Sequence, residues 1–459
     1  MNIYLHVEIS ARELDSKLLL ATLAAAKGHE VLVSNLSEIL NGFKLGVLKP
    51  GIYHTKSLTP SKMKIDRHQK IVNLNCKITS IDEENGLGKR SDDKFERKRY
   101  SDITLRQSSA VFGWGDDDVE ILKKIFPDHS QKIHKTGSPR VDLWRSTLSD
   151  YWDNPIGMPK RPYLLVASNM GCIGMKSFDK NFKSTSEAGY FKRDPDMFKR
   201  FFFRTAEDFK KMYEFIEAIK YVAEHNNGYD IVFRPHPEEK ISAWEIFLQG
   251  VPNTHVIRQD SITSWVKNAF AVMHNGCTSS IETIVSGKPL LTYNPFKMEY
   301  ADEFFNSLGY NIKSKEELSL KANSLFDNTN IETTNQKKIN YTEINELISR
   351  KLFIDQKETS AEKIIKIWES LDDKNLSKLN NWIKFYLLLR AINLMRFCRN
   401  ILGRLFPNNF KHLRKNYKFP TFRKDDIRSR INKFKHLFGL KVDLECKFLS
   451  DRTVLIKKK

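Results

Sequence analysis

The stretch from Asp230 to Pro295 constrains the fold of this 459-residue chain more than any other part of the sequence. Its first element, Ile231 to Phe233, is a short apolar run stopped by prolines, a pattern that predicts a buried parallel strand. Pro235 and Pro237 restrict the backbone and hold it extended. His236 is therefore expected just beyond the carboxyl end of that strand.

A second strand is predicted from Ala269 to His274, and it ends in Asn275-Gly276. Thr278, Ser279 or Ser280 can cap the helix that follows. Glycine and proline at 287–289 close this helix, and Leu290 to Tyr293 predicts the next strand.

Two strand ends thus present a histidine and a hydroxyl-rich helix start to one crevice, which is where open α/β sheets bind ligands. A helix N-terminus favours phosphate. Ser279 and Ser280 add donors, His236 and Arg234 add a proton or charge, and Glu282 can accept from ribose hydroxyls. Taken singly, the helix start is explained by ordinary capping, and the histidine is explained by packing at a strand end. Their combination favours a nucleotide-phosphate site.

These motifs resemble the donor-binding half of GT-B glycosyltransferases, in particular the enzymes that use CMP- or CDP-linked donors. Sialyl- and polysialyltransferases, Kdo transferases and CDP-glycerol glycerophosphotransferases belong to that group. The resemblance implies that an Arg-x-His-Pro strand end and a Ser-Ser helix start hold a cytidine nucleotide. The matching residues are Arg234, His236, Pro237, Ser279 and Ser280, and the predicted nucleotide-binding set also includes His274, Asn275, Thr278 and Glu282.

The N-terminal part predicts a second parallel sheet. Asn2 to Glu8 alternates like a strand, Ser10-Ala11-Arg12-Glu13 has the capping-box pattern, and Glu30 to Val33 follows the helix as another strand. There is no GxGxxG, so the dinucleotide fingerprint is missing. Arg12 is counted among the substrate-binding candidates.

An acidic segment, Asp82-Glu83-Glu84-Asn85-Gly86, follows a strand predicted from Ile71 to Cys76 and continuing through Ile81. Repulsion among carboxylates and partial burial would raise one pKa and create a general base; the alternative is a solvated turn. Bacterial sialyltransferases of the group above carry an acid-acid-Gly motif whose carboxylate deprotonates the acceptor. That resemblance implies Glu83 or Glu84 as the base, with Glu83 preferred, and Asn85 departs from the motif.

The turn Thr136-Gly137-Ser138-Pro139-Arg140 has two interpretations that the sequence leaves open. It is either a plain strand-to-helix turn or a backbone lining of the crevice with Arg140 facing anionic groups. Together with the first strand and the RPHP block, it resembles a broad family of surface carbohydrate biosynthesis proteins over roughly residues 1–326.

The net charge of +20 is concentrated at the C-terminal end. Residues 375–459 contain 22 Lys and Arg against 5 Asp and Glu. Apolar residues recur there at helical spacing, including Ile383, Leu387, Leu394 and Cys398. Such a helix suits an anionic membrane surface; the alternatives are a helix docked on its own domain or in a dimer and, last, a nucleic-acid site.

The sequence therefore predicts an α/β fold of the GT-B type, with two Rossmann-like parallel-sheet domains facing a cleft. The expected segments are an acceptor domain (1–155), a donor domain (163–330), a helical connection (331–374) and a basic amphipathic helical tail (375–459). Five scattered cysteines and the lack of a signal-peptide pattern favour a cytoplasmic protein, here peripheral to the inner face of a bacterial cytoplasmic membrane.

The expected activity is transfer of an acidic sugar, Kdo or another nonulosonic acid, from a CMP-activated donor to a surface glycan or glycolipid. Neither a metal nor a cofactor is expected beyond the CMP-sugar co-substrate, because hydroxyls and the helix dipole supply the phosphate site. The rival interpretations are a CDP-glycerol-type glycerophosphotransferase and a non-catalytic membrane-docked scaffold.

Overall fold

The computed structural model describes residues 1–83, 93–170, 178–187, 189–237, 239–297, 299, 303–330, 348–372, 380–405 and 421–459. The chain divides into two compact units. Unit 1 combines Met1–Leu143 with Leu347–Lys459, and unit 2 is Trp144–Glu346. Each unit is built on its own β-sheet with helices connecting the strands. The prediction of two parallel-sheet α/β domains is confirmed, and the predicted cleft between them stays a prediction.

The N-terminal part of unit 1 alternates strands and helices, as short apolar runs separated by amphipathic segments should. Its elements are β1 Asn2–His6, α1 Ser10–Ala26, β2 Glu30–Ser34, α2 Leu36–Lys44, β3 Ile52–Thr55, α3 Lys62–Val72, β4 Lys77–Ile81, α4 Asp93–Arg99, α5 Asp102–Gln107, β5 Ser108–Gly113, α6 Asp116–Ile125, a 3-10 turn Pro127–Lys132, β6 Ile133–Lys135 and α7 Pro139–Asp142.

Unit 2 repeats this alternation. Its elements are a 3-10 turn Ser146–Tyr151, β7 Tyr163–Ala167, α8 Phe178–Glu187, α9 Tyr190–Arg193, α10 Pro195–Glu224, β8 Asp230–Arg234, α11 Ile241–Phe247, β9 Thr254–Val256, α12 Ile262–Asn268, β10 Ala271–His274, α13 Ser279–Val285, β11 Leu290–Tyr293, α14 Glu303–Asn306, β12 Tyr310–Ile312 and α15 Lys315–Asn330.

The C-terminal part of the chain belongs to unit 1. Its elements are α16 Ser360–Leu371, α17 Trp382–Leu405, α18 Lys424–Leu437, β13 Leu444–Ser450 and β14 Thr453–Lys458.

The six strands of unit 2 are all parallel and lie in the order β12-β11-β10-β7-β8-β9. Numbered from β7, this is the doubly wound order 3-2-1-4-5-6, in which the connections reverse direction between the first and fourth strands. The switch point of unit 2 therefore lies between β7 and β10. Helices α10 and α15 pack on the sheet and form an apolar core with it. This core includes Phe215, Ile219 and Phe233.

In unit 1 the order is β13-β14-β2-β1-β3-β4-β5-β6, with β1 to β6 parallel. The direction of the connections reverses between β1 and β3, which gives this sheet its own switch point. β14 is antiparallel to β2, with Val454 opposite Val33 and Ile456 opposite Val31.

This arrangement corrects the prediction of a separate helical tail. Residues 444–458 form two strands that extend the sheet of unit 1, and the side chains of Val454, Leu455 and Ile456 are fully buried. The boundary between the units falls after Leu143, whereas the acceptor domain was expected to end at residue 155. A local pattern could not reveal this pairing, because β2 and β14 lie some 420 residues apart in the sequence.

One further local expectation is wrong. The strand expected from Ile71 to Cys76 is instead the end of α3 and a turn, and the strand begins at Lys77.

In the described part of the chain, no helix combines the length and the apolar character needed to cross a membrane.

Candidate functional site

The switch point of unit 2 brings two strand exits into direct contact. Asn169, just after β7, donates from Nδ2 to the carbonyl of Gly276, just after β10, at 3.1 Å. Asn275 donates from its Nδ2 to the carbonyl of Asn169 at 3.4 Å. These two bonds fix the turns on either side of the position where this sheet order places a ligand.

The segment after β8 is hydrogen-bonded to the residues that follow β7. Glu239 is buried, and its carboxylate accepts hydrogen bonds from Ser168 Oγ at 2.6 Å and from the Met170 amide at 2.5 Å. The Glu239 amide donates to the carbonyl of His236 at 2.9 Å. The predicted His236 and Ser279 therefore follow strands that flank β7, at one edge of one sheet.

Arg234, the last residue of β8, donates to the carbonyls of Gln259 (2.5 Å) and Asp260. Burial lowers the pKa of its guanidinium to about 10, and the nearby carboxylates of Glu282 and Asp260 oppose that shift. Arg234 is thus a cation at neutral pH. It holds the loop before α12 and supplies positive potential at this edge.

Glu282 joins the two predicted motifs. Its side chain on α13 is buried and accepts a hydrogen bond from Thr263 Oγ1 of α12. It also interacts electrostatically with Arg234 at the end of β8. The Arg-x-His-Pro segment and the Ser-Ser helix, about fifty residues apart in sequence, share one charged network.

The start of α13 differs from the expected capped helix. Thr278 occupies the N-cap position with helical angles (φ −59°, ψ −19°), and no side chain caps the helix. Ser280 Oγ donates to the carbonyl of Cys277 at 2.7 Å. An N-cap side chain acts from an extended backbone, and Thr278 lacks that conformation.

Two polar atoms at this helix start have no partner in the part of the chain that the structure describes. Ser279 Oγ and Asn275 Oδ1 are buried, and neither makes a hydrogen bond within the described residues. Buried polar atoms in folded proteins are nearly always paired. A hydroxyl donor and an amide acceptor left unpaired beside the switch point are therefore the atoms best suited to meet a bound ligand.

His274 is used inside the protein. Its Nε2 lies 2.6 Å from Thr292 Oγ1, and its Nδ1 accepts from the amides of Gly276 at 3.1 Å and Cys277 at 3.3 Å. Complete burial lowers the pKa of the ring to about 3, so the imidazole is neutral. Both nitrogens are committed to shaping the turn that carries Asn275.

In unit 1, Glu83 lies just beyond β4 and is buried. Its Oε1 accepts from Lys17 Nζ at 2.8 Å, its backbone carbonyl accepts from Arg140 Nη1 at 3.2 Å, and its Oε2 has no partner within the described residues. Burial opposes ionisation, but Lys17, Arg140 and Arg12 together outweigh it, and the pKa of Glu83 lies below its ordinary value.

This result corrects the expected raised pKa for Glu83. Asp82 is paired separately with Arg99, whose Nε lies 2.9 Å from Asp82 Oδ2. Each described carboxylate has its own cation, so attraction replaces the predicted repulsion. Glu84 lies outside the described residues.

The first helix also begins differently from the capping-box prediction. Ile9 is the N-cap, Ser10 is already helical, and its buried Oγ has no hydrogen bond among the described residues. Glu13 Oε2 accepts from the Glu8 amide at 2.8 Å, and Glu13 Oε1 accepts from Arg12 Nη2 at 2.9 Å. Arg12 therefore lies near the Glu83 carboxylate while paired with Glu13.

Sequence reasoning missed Lys17 as a partner for Glu83. The available signal was its place on α1, three residues after Leu14 and four before Ala21, on the face that is buried. A lysine on a buried helix face needs a counter-ion. Arg140, whose role the sequence leaves open, has its guanidinium 5.6 Å from the centre of the Trp114 ring.

No family model matches the sequence, and no curated protein matches it. Among solved structures, the chain is similar to a Listeria monocytogenes protein described as a UDP-N-acetylglucosamine 2-epimerase (TM-score 0.49, 13% identity, 82% of this chain and 99% of that one). It is also similar to the Neisseria meningitidis UDP-GlcNAc 2-epimerase bound to UDP-GlcNAc (0.41, 13%, 81% and 100%).

A third similar structure is a variant of the wall teichoic acid polymerase TagF (TM-score 0.40, 12% identity, 70% of this chain and 72% of that one). The strand orders given above, and not these similarities, establish the two α/β units. Within the described residues, no group of three or more His, Cys, Asp and Glu side chains is placed to hold a metal ion.

Proposed function

We propose that this protein is a glycosyltransferase that moves an acidic sugar from a CMP-activated donor to a surface glycan acceptor. The observation that carries the proposal is a pair of buried atoms beside the switch point of unit 2, Asn275 Oδ1 and Ser279 Oγ, which have no hydrogen-bond partner among the described residues. They lie at the sheet edge that also holds Arg234 and His236.

In this proposal, the donor's phosphate accepts a hydrogen bond from Ser279 Oγ, and Asn275 Oδ1 accepts from an N–H or O–H of the nucleoside. Arg234 contributes fixed positive charge, and the partly buried His236 stabilises or protonates the departing CMP. Preorganised donors aimed at developing charge are the most effective aid to such a step. Glu282 would accept from the ribose.

The acceptor hydroxyl is assigned to the edge of unit 1. Glu83 is ionised at neutral pH, because its pKa lies below the ordinary value, and within the described part of the chain its Oε2 has no hydrogen-bond partner. As the hydroxyl oxygen attacks the anomeric carbon, its proton passes to the carboxylate and the bond to the CMP phosphate breaks. Glu84 is the alternative base.

A panel of nucleotide-activated donors tests this function. Purified protein is incubated with CMP-Kdo, CMP-nonulosonic acids, CDP-glycerol and UDP-GlcNAc, and release of the nucleotide is measured. Release of CMP from an acidic-sugar donor that falls at least a hundredfold in His236→Ala supports the proposal. Selective turnover of CDP-glycerol would establish the rival phosphotransferase. Absence of turnover and of any CMP-induced thermal shift would favour the scaffold interpretation.

We also propose that α17 attaches the protein to an anionic membrane surface. Phe385 and Leu389 on one face are fully buried in the core of unit 1, whereas Ile383, Leu387 and Leu394 are 61–72% exposed. The helix therefore has one docked face and one free apolar face. In sequence, this helix lies within the strongly basic segment 375–459.

Point substitutions test this attachment better than truncation, because residues 375–459 include two strands of the sheet. We expect Leu387→Ser with Leu394→Ser to reduce flotation with phosphatidylglycerol vesicles at least fivefold. Met63→Ser with Ile103→Ser, at exposed apolar positions elsewhere in unit 1, is the matched control. Equal flotation of both variants would remove α17 as the contact.

A further inference from the structure

Unit 2 carries a cluster of phenylalanines outside its core. Six rings are contributed by α8, α9 and the start of α10, and each has at least three of the others at centroid distances of 4.9–6.2 Å. The members of this aromatic cluster are Phe178, Phe182, Phe191, Phe198, Phe201 and Phe202. Aromatic rings at these separations attract one another, which explains how the short helices hold together.

No ring of the aromatic cluster is fully buried, and Phe182, Phe191 and Phe201 are half-buried. No residue of α8 is buried, and in α10 no described residue before Asp208 is buried. Phe178, Phe198 and Phe202 remain 41–49% exposed. The second half of α10 behaves oppositely, since Phe215 and Ile219 lie in the core of unit 2. The first half of this 30-residue helix therefore serves a purpose other than packing the sheet.

The exposed rings follow the helical repeat. Phe198, Phe202, Phe209 and Tyr213 recur at spacings of four, seven and four, which places them on one side of α10. All four are exposed, and Phe203 beside them is 50% exposed. A contiguous exposed aromatic surface of this kind marks an interaction site in a folded protein.

The segment that carries these rings has a modest net positive charge. Residues 178–213 contain nine Lys and Arg against six Asp and Glu. Lys199 Nζ lies 5.6 Å from the centre of the Phe203 ring. Long basic side chains can lay their stems along apolar surface while their heads reach phosphate groups.

We propose that the aromatic cluster and the exposed side of the first half of α10 insert into the interface of an anionic lipid bilayer. Aromatic side chains flanked by lysines and arginines match the chemistry of the headgroup region. A second copy of this chain fits less well, because two surfaces of net positive charge on a chain of charge +20 repel each other. The proposal is independent of the transfer reaction and of α17.

The experiment uses the full chain and vesicles of phosphatidylglycerol and phosphatidylcholine. We expect the triple variant Phe198→Ser, Phe202→Ser and Phe203→Ser to lower the vesicle partition coefficient at least tenfold. The matched control is Ile246→Ser, Phe247→Ser and Leu320→Ser, which removes exposed apolar side chains from α11 and α15 of the same unit. The control should partition as the unmodified protein does.

A second measurement reports contact at the cluster itself. Phe202→Trp in the full chain should show quenching by brominated phospholipid beyond that of the seven native tryptophans. This variant also decides the outcome if the triple variant fails to fold. No extra quenching would overturn the proposal. It would also be overturned if the triple variant partitions normally while dissociating a dimer in analytical ultracentrifugation.

Discussion

Lys17 Nζ lies 2.8 Å from Glu83 Oε1, and both side chains are at most 2% exposed. The two residues are 66 positions apart, one on α1 and the other just after β4. A buried ion pair of this kind adds little net stability, but removing one partner leaves a charge buried without compensation. This asymmetry makes the pair a probe of the unit 1 edge.

Lys17→Met should lower the free energy of unfolding by about 3–5 kcal/mol, because the carboxylate of Glu83 would remain buried and unpaired. Urea denaturation measures this. Lys27→Met is the control, since the Lys27–Glu369 pair is more than a third exposed on both sides and should contribute at most about 1 kcal/mol. Equal small losses in both variants would contradict the burial of the first pair.

The stability of unit 2 should decline in acid because of His274. Its pKa is about 3 in the folded protein against 6.5 for a free ring, so the unfolded chain binds the proton first as the pH falls. The contribution of the neutral His274 ring to the free energy of unfolding is complete above pH 6.5. It is lost towards pH 3, at about 1.4 kcal/mol per pH unit. Denaturation at pH 7, 6, 5 and 4 should show a shallower decline for His274→Gln. His225→Gln, at an exposed position, should keep the original slope.

Ser279 and Ser280 should separate ligand binding from stability. Ser279→Ala should weaken CMP binding about tenfold in calorimetry and leave the melting temperature unchanged, because Ser279 Oγ has no partner within the described residues. Ser280→Ala should cost about 1 kcal/mol of stability, because it loses the bond to Cys277. Unchanged CMP affinity in Ser279→Ala would remove this hydroxyl from the proposed site.

Gly137 should tolerate no side chain. It adopts φ +76°, and an added Cβ would lie 2.4 Å from the Phe353 carbonyl oxygen. Gly137→Ala should therefore destabilise unit 1 by about 2–4 kcal/mol, with backbone strain of about 1–2 kcal/mol and the steric clash both contributing. Gly46→Ala, at φ +63° with nothing within 4 Å, isolates the strain. Equal losses would show that the clash is relieved by small movements.

The two faces of α17 should respond differently to truncation. Phe385→Ala should cost about 3–5 kcal/mol, because its ring is fully buried in the core of unit 1. Leu387→Ala, which removes a 61% exposed side chain, should change stability by less than about 0.5 kcal/mol. Thermal unfolding of the two variants makes the comparison. A large loss in Leu387→Ala would mean that this face is covered in solution.

The sequence by itself determined the elements that local signals specify. Leu290–Tyr293 was predicted at its observed bounds, and the apolar run 231–233 lies within β8. Proline and glycine positions and strand-like apolar runs act over a few residues. They can therefore be interpreted without knowledge of the rest of the chain. The same signals placed His236 and Ser279 after strands that share an edge.

Only the tertiary structure decided what depends on partners far away in sequence. The strand pairing of β14 with β2, the Lys17–Glu83 pair and the electrostatic interaction between Arg234 and Glu282 all join distant segments. These partners also reversed a local prediction, because the cations around Glu83 lower a pKa that neighbouring acids alone would raise. The burial of a side chain and the electrostatic potential around it depend on every residue that lies near it in space. Residues adjacent in sequence are only some of these neighbours.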